Sequence, residues 1–126
     1  MTSSPLFGLP PATLEKLSRV FAAHPAIDRV LIYGSRAKGT YRHGSDIDLC
    51  IKGRALPFSE FVQIEDQIDD LMLPYTVDLS HYRQIDNPDL VAHIDRVGVV
   101  IYAKENGARS IVKIDALIAG NPRENK

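Results

Sequence analysis

Three aspartates carry the chemistry that this sequence offers. Asp46 and Asp48 stand two residues apart in D-I-D-L-C-I-K, and Asp78 stands in the later run Y-T-V-D-L-S. Side chains at i and i+2 of a strand point the same way, with Cα atoms roughly 6.5–7 Å apart. Asp46 and Asp48 can therefore converge above one face of a sheet. An isolated D-x-D is most often a solvated strand face. Here Ile47, Leu49 and Ile51 make the strand look central, and acids on central strands need compensation. Ionised carboxylates crowded together repel one another unless cations lie between them. Mg²⁺ suits such a site, because it takes oxygen ligands and leaves positions open for phosphate and water. Two such ions about 4 Å apart could activate an attacking oxygen and stabilise a leaving pyrophosphate.

Upstream lies Y-G-S-R-A-K-G, from Tyr33 to Gly39. A glycine directly after a buried strand lets the chain turn sharply and approach a ligand closely. A helical turn starting at Ser35 would aim free N–H groups at an anion. Arg36 and Lys38 could add positive charge toward phosphates, and for Lys38 the solvated reading stands level with that one. The stretch is neither a Walker A loop nor a dinucleotide fingerprint, since both spacings are missing.

These residues need elements to hold them. Pro11 opens a helix over about 11–23, with Leu14, Leu17, Val20 and Phe21 at helical spacing. Arg29–Tyr33 is a buried strand and Asp46–Lys52 a second. Asp46, Asp48 and Cys50 lie on one face of the second strand, with Ile47, Leu49 and Ile51 on the other. Ser59 caps a second helix, or Pro57 opens it. Its apolar stripe is Phe61, Ile64, Ile68, Leu71 and Met72, with Glu65, Asp66, Asp69 and Asp70 outside. Tyr75–Ser80 is the third strand, with Thr76, Asp78 and Ser80 on one face. Pro88–Ile94 makes a short helix, and Val97–Ala103 is the fourth strand, where Gly98 suggests a close backbone approach. The order predicts an α/β (α+β) fold, a mixed sheet of about four strands flanked by helices. Residues 1–10 read as a flexible lead-in, 11–104 as the domain, and 105–126 as a C-terminal tail for partner docking, with a short helix at 111–118.

The chain has 126 residues, enough for one core and not for a second substrate domain. Its net charge of -1, from 15 basic and 16 acidic residues, gives no reason to expect nucleic acid as a partner. Cys50, the single cysteine, reads as a buried inert thiol. No signal segment and no apolar run of the ~20 residues needed to span a bilayer is evident, which points to the cytoplasm. Of the four histidines, His24 reads as a helix-end residue and His43 as a solvated loop residue. His81 falls near the expected site without a clear role, and His93 has no companion at ligand spacing.

G-S-R-A-K-G-x5-S-D-I-D-L, joined to V-D-L at 77–79, resembles the signature of minimal nucleotidyltransferase (MNT) domains of the DNA polymerase β superfamily. The resemblance implies a polymerase β-like fold and transfer of a nucleoside monophosphate from a triphosphate. Gly34 and Ser35 would hold the triphosphate, with Arg36, Lys38 and Ser45 as further nucleotide contacts. Asp46 and Asp48 would bind both Mg²⁺ ions, and Asp78 would bind the catalytic ion and help activate the acceptor hydroxyl. Stand-alone domains of this kind pair with helical HEPN proteins, RNase toxins that they neutralise, in some cases by adding AMP to a tyrosine. The resemblance thus implies ATP as substrate, a HEPN-type partner in a hetero-oligomer and an antitoxin role. Two other readings stay open. One is an antitoxin that masks its partner without chemistry; the other is transfer to a small molecule or an RNA end.

Overall fold

The computed structural model describes residues 6–104. The expected tail at 105–126, with its helix at 111–118, lies outside the described residues, as do residues 1–5. Helix α1 (Pro11–Ala22) starts on a first-turn proline and buries Leu14, Leu17 and Phe21. Strand β1 (Arg29–Tyr33) runs into α2 (Gly34–Lys38), a five-residue helix ended by Gly39 at φ 83. Strand β2 (Ile47–Lys52) leads to α3 (Phe58–Asp69), then β3 (Val77–His81) and a 3₁₀ turn over Tyr82–Gln84. Helix α4 (Pro88–Val97) is capped by Asn87, whose side chain accepts from the Asp89 N–H at 2.9 Å. Strand β4 (Val99–Ala103) completes the set.

The strands form one sheet in the order β3-β2-β1-β4. β1 pairs antiparallel with β2 and with β4, while β2 and β3 run parallel. The sheet is mixed, as expected. A parallel pair needs a crossover, and α3 supplies it.

Side-chain alternation divides the sheet into two faces. Val30 and Ile32 of β1 and Ile47, Leu49 and Ile51 of β2 face the main core with α1 and α3. Tyr33 and Cys50 face the other way, against Ile94 of α4. That smaller cluster covers only part of its face. Phe21 of α1 packs on Tyr102 of β4 with ring centres 6.0 Å apart. Gly98 lets β4 follow α4 closely, since a Cβ there would meet Ile94 O at 2.6 Å and Leu31 Cδ2 at 2.9 Å.

Some elements depart from expectation. Residues 6–9, expected as part of a loose lead-in, form a turn with a Leu6–Leu9 bridge, and Leu9 is completely buried. Ser59 is not the cap of α3; Pro57 holds that position, so the alternative in which proline opens the helix is the nearer one. Met72 leaves the α3 stripe, because the chain has already turned at φ 56 and its side chain is 84% exposed. Strand β3 starts at Val77, and α4 continues through Val97, so that Val97 falls in the helix, Gly98 caps it and β4 starts at Val99.

His24 is more than a helix-end residue. It is buried between α1 and α3, with Nδ1 2.8 Å from Glu60 Oε2 and Nε2 2.7 Å from Gln67 Oε1.

Candidate functional site

Register brings two of the three candidate acids together, while Asp46, expected as the first residue of the second strand, precedes it. Asp48 is the partner of Asp78 across the parallel β2–β3 pair and of Tyr33 across the antiparallel β1–β2 pair. Neighbouring strands lie about 4.8 Å apart, so Tyr33, Asp48 and Asp78 form a row across three strands. Asp78 is exposed, Asp48 is half-buried, and Asp46 is exposed in the segment just before β2. Burial pushes the Asp48 carboxyl above its ordinary range, and the negative charges of Asp78 and Asp46 push it further. The Arg36 guanidinium opposes them.

Gly34 directly follows Tyr33 and has φ +76. A Cβ at that position would overlap Asp48 Oδ2. Two constraints therefore coincide at Gly34, since the backbone conformation favours glycine and the carboxylate occupies the space a side chain would need. Ser35 is half-buried in the first turn of α2, and Lys38 is exposed at its end.

Arg36 is engaged inside the fold. It is 3% exposed, Nη1 donates to Phe7 O at 2.9 Å, and Nε and Nη2 donate to Ser45 O at 3.2 and 2.8 Å. Its guanidinium lies 5.2 Å from the Tyr41 ring centre and 5.1 Å from that of Tyr75. Its fork ties α2 to the N-terminal turn and to the loop before β2, so its three nitrogens are engaged within the protein. Ser45 is likewise occupied in its own loop, where Oγ accepts from the Arg42 N–H at 2.8 Å.

Two neighbours of the row were legible only in part. The Tyr33 hydroxyl lies 3.4 Å from Ser80 Oγ, and burial is the main cause that raises its pKa. His93 of α4 meets the Tyr33 ring edge-on at 6.0 Å. Alternation along β3 already put Ser80 on the face of Asp78. Its pairing with Tyr33 needs the strand order, which short strands do not reveal. His81 falls on the opposite face, buried and stacked on Phe61 at 6.3 Å, with no hydrogen-bond partner for Nε2. His43 is exposed in its loop.

Among the described residues, no three histidine, cysteine, aspartate or glutamate side chains are gathered closely enough to hold a metal as they stand. The donor chemistry nevertheless suits a hard divalent cation. Asp48 and Asp78 are adjacent oxygen donors, and their repulsion, seen in the raised Asp48 carboxyl, is what a cation would relieve.

A mixed sheet with paired carboxylates and a glycine turn against one of them is the frame of a nucleotidyl-transferring domain. The chain matches the family model "Polymerase beta, Nucleotidyltransferase" over residues 15–107, and it belongs to that family. No curated protein matches it. Solved structures share its fold. One is a toxin–antitoxin with AMP-PNP, at 20% identity and TM-score 0.59, covering 77% of this chain and 76% of that one. A mutant of the toxin–antitoxin MntA-HpeT aligns at 15% identity and TM-score 0.58, over 73% of this chain and 74% of that one. The tri-AMPylated Shewanella oneidensis HEPN toxin in complex with MNT antitoxin aligns at 15% identity and TM-score 0.56, over 74% and 71%.

Proposed function

We propose that this chain is a Mg²⁺-dependent nucleotidyltransferase that moves AMP from ATP onto a hydroxyl of a HEPN-type partner protein and so acts as an antitoxin in the cytoplasm. The observation that carries the reading is the Asp48–Asp78 pair across parallel strands, with Gly34 packed against Asp48. Family membership supports nucleotidyl transfer. The partner and the base follow the similar folds, which include a complex with AMP-PNP and one with an AMPylated HEPN toxin.

In this reading Asp46, Asp48 and Asp78 hold two Mg²⁺ ions. Bound Mg²⁺ would supply charge neutralisation for the triphosphate and the departing pyrophosphate. Gly34 and Ser35 place backbone N–H groups, and Ser35 its hydroxyl, against the phosphates, with Lys38 adding charge from the end of α2. Arg36 acts from within, holding α2 and the Ser45 loop in register and lowering the charge cost at Asp48. Asp78, on the outermost strand and exposed, orients the acceptor hydroxyl and takes its proton. The acceptor oxygen bonds to the α-phosphorus as the bond to the bridging oxygen breaks, and pyrophosphate leaves with that electron pair. Rate comes from positioning and charge.

The test mixes the chain with a HEPN-type protein, Mg²⁺ and each of the four labelled nucleoside triphosphates. Intact mass and label are followed on both proteins. The expected result is a gain of one or more AMP units on the partner, lost with Asp48→Asn. A stable complex with no mass gain would overturn transfer and leave an antitoxin that acts by masking. Label on RNA or a small molecule alone would move the acceptor there.

A further inference from the structure

A groove runs between α3 and the outer edge of β3, on the face opposite the carboxylate row. Two hollows of about 330 and 310 Å³ share Ile68, Asp69 and Val77. Leu73 and Tyr75 extend the floor at one end and Leu79 at the other. Met72 stands at the mouth, 84% exposed. The rim is acidic, with Glu65, Asp66 and Asp69 all exposed. Among the described residues, no lysine, arginine or histidine lines either hollow. The two ion pairs among the described residues use Glu60 and Asp28, so neither compensates this rim.

Asp69 closes α3, whose last turn carries no basic residue. The negative end of a helix dipole disfavours a carboxylate there, so the acid is placed against the free chain's own stability. The strand below is also open. β3 ends the sheet, and among the described residues no strand pairs with its outer edge. Val77–His81 contains no proline and no lysine, the residues that usually blunt an edge.

We propose that this groove docks an extended, basic segment of a partner protein, added to β3 as a fifth strand. The unpaired edge selects an extended backbone. The acidic rim selects lysine or arginine, and the floor at Ile68 and Val77 accepts an apolar side chain. A second copy of this chain is disfavoured, because pairing β3 with β3 would set two acidic rims together. Side chains of an added strand alternate between faces. Every second residue would point to the face that carries Asp78, so docking would bring a partner hydroxyl to the row of carboxylates. That delivery rests on the proposed transfer; the docking itself does not.

The test uses the full chain and a fluorescent, end-blocked octapeptide Lys-Ser-Val-Ser-Lys-Ser-Val-Ser, whose lysines and valines share one face of a strand, with the same peptide carrying glutamate for lysine as control. Binding is read by anisotropy and located by backbone hydrogen exchange. The basic peptide is expected to bind at least about tenfold more tightly than the acidic one. Glu65→Gln/Asp66→Asn/Asp69→Asn should remove at least about tenfold of that binding while the melting temperature holds or rises. Exchange should slow at the amides of Val77–His81 when the peptide binds. Asp46→Asn/Asp48→Asn should bind the peptide as the parent does, which separates docking from transfer. Equal binding of the two peptides, full binding by the triple variant, or unchanged exchange in β3 would overturn the proposal. So would a triple variant that dissociates a dimer of the parent, since the groove would then belong to a second copy.

Discussion

At Asp48, burial and charge act in the same direction. The folded carboxyl titrates above its unfolded value, so its ionisation costs stability as pH rises from the ordinary carboxylate range near 3.8 through the folded value. Asp48→Asn should therefore melt higher than the parent in metal-free buffer at neutral pH, and the gap should close in acid. The same variant should lose transfer by on the order of a thousandfold or more, because a charge that positions the triphosphate is gone. Calorimetry and the mass assay read the two effects separately. A variant that is both less stable and still active would refute this account. His81 gives the opposite pH signature. Burial lowers its pKa below the ordinary 6.5, so its contribution is complete above that value and is lost as pH falls toward the folded pKa. His81→Leu should flatten the fall in melting temperature between neutral and mildly acidic pH. An unchanged slope would place the acid sensitivity elsewhere.

The element that most needs exact placement is α2, five residues joined to β1 with no intervening loop. Gly34→Ala forces a side chain into φ +76 and onto Asp48 Oδ2. It should cost about 2 kcal/mol and displace the carboxylate, so denaturant midpoint and activity should fall together. Arg36→Ala should be the costlier change, on the order of 3 kcal/mol, since the carbonyls of Phe7 and Ser45 lose their donor inside the protein. Arg36→Lys should not restore it, because an ammonium cannot fork to both.

This scale also shows where the sequence was legible. The strand of Asp48, its two faces and the glycine turn could be read from alternation and from one glycine after an apolar run. The tie through Arg36 could not. Its acceptors are backbone carbonyls 29 and nine residues away, and no residue pattern marks a carbonyl. The same holds for His24, whose partners Glu60 and Gln67 lie on another helix and read from sequence as polar surface. Leu9 was lost among prolines and serines, because a single apolar residue has no period to betray its burial.

For the whole molecule, the main core and the carboxylate row occupy opposite faces of one sheet. The helices α1 and α3 close the core without help from any site residue. Removing divalent metal with a chelator should therefore leave cooperative unfolding intact and abolish only transfer. Adding Mg²⁺ should raise the melting temperature modestly through binding to the folded state, and Asp48→Asn should erase that rise. Loss of fold on chelation would mean that the metal is structural. Strand order was the part of the architecture that sequence left open. The elements follow from periodicity, but four short strands fit several orders, and the order decides that Asp78 lies beside Asp48.

Cys50 is the chain's single cysteine. It is completely buried beside Tyr33 and Ile94, and burial pushes its thiol up to about 11. A disulfide reagent can reach that sulfur only when its cover, α4 with Tyr82 and Ile85, lifts from the sheet. The pace of labelling is thus a built-in clock for the breathing of the face next to the carboxylates. If a bound nucleotide slows it, occupancy of the site and closure of that cover are one event.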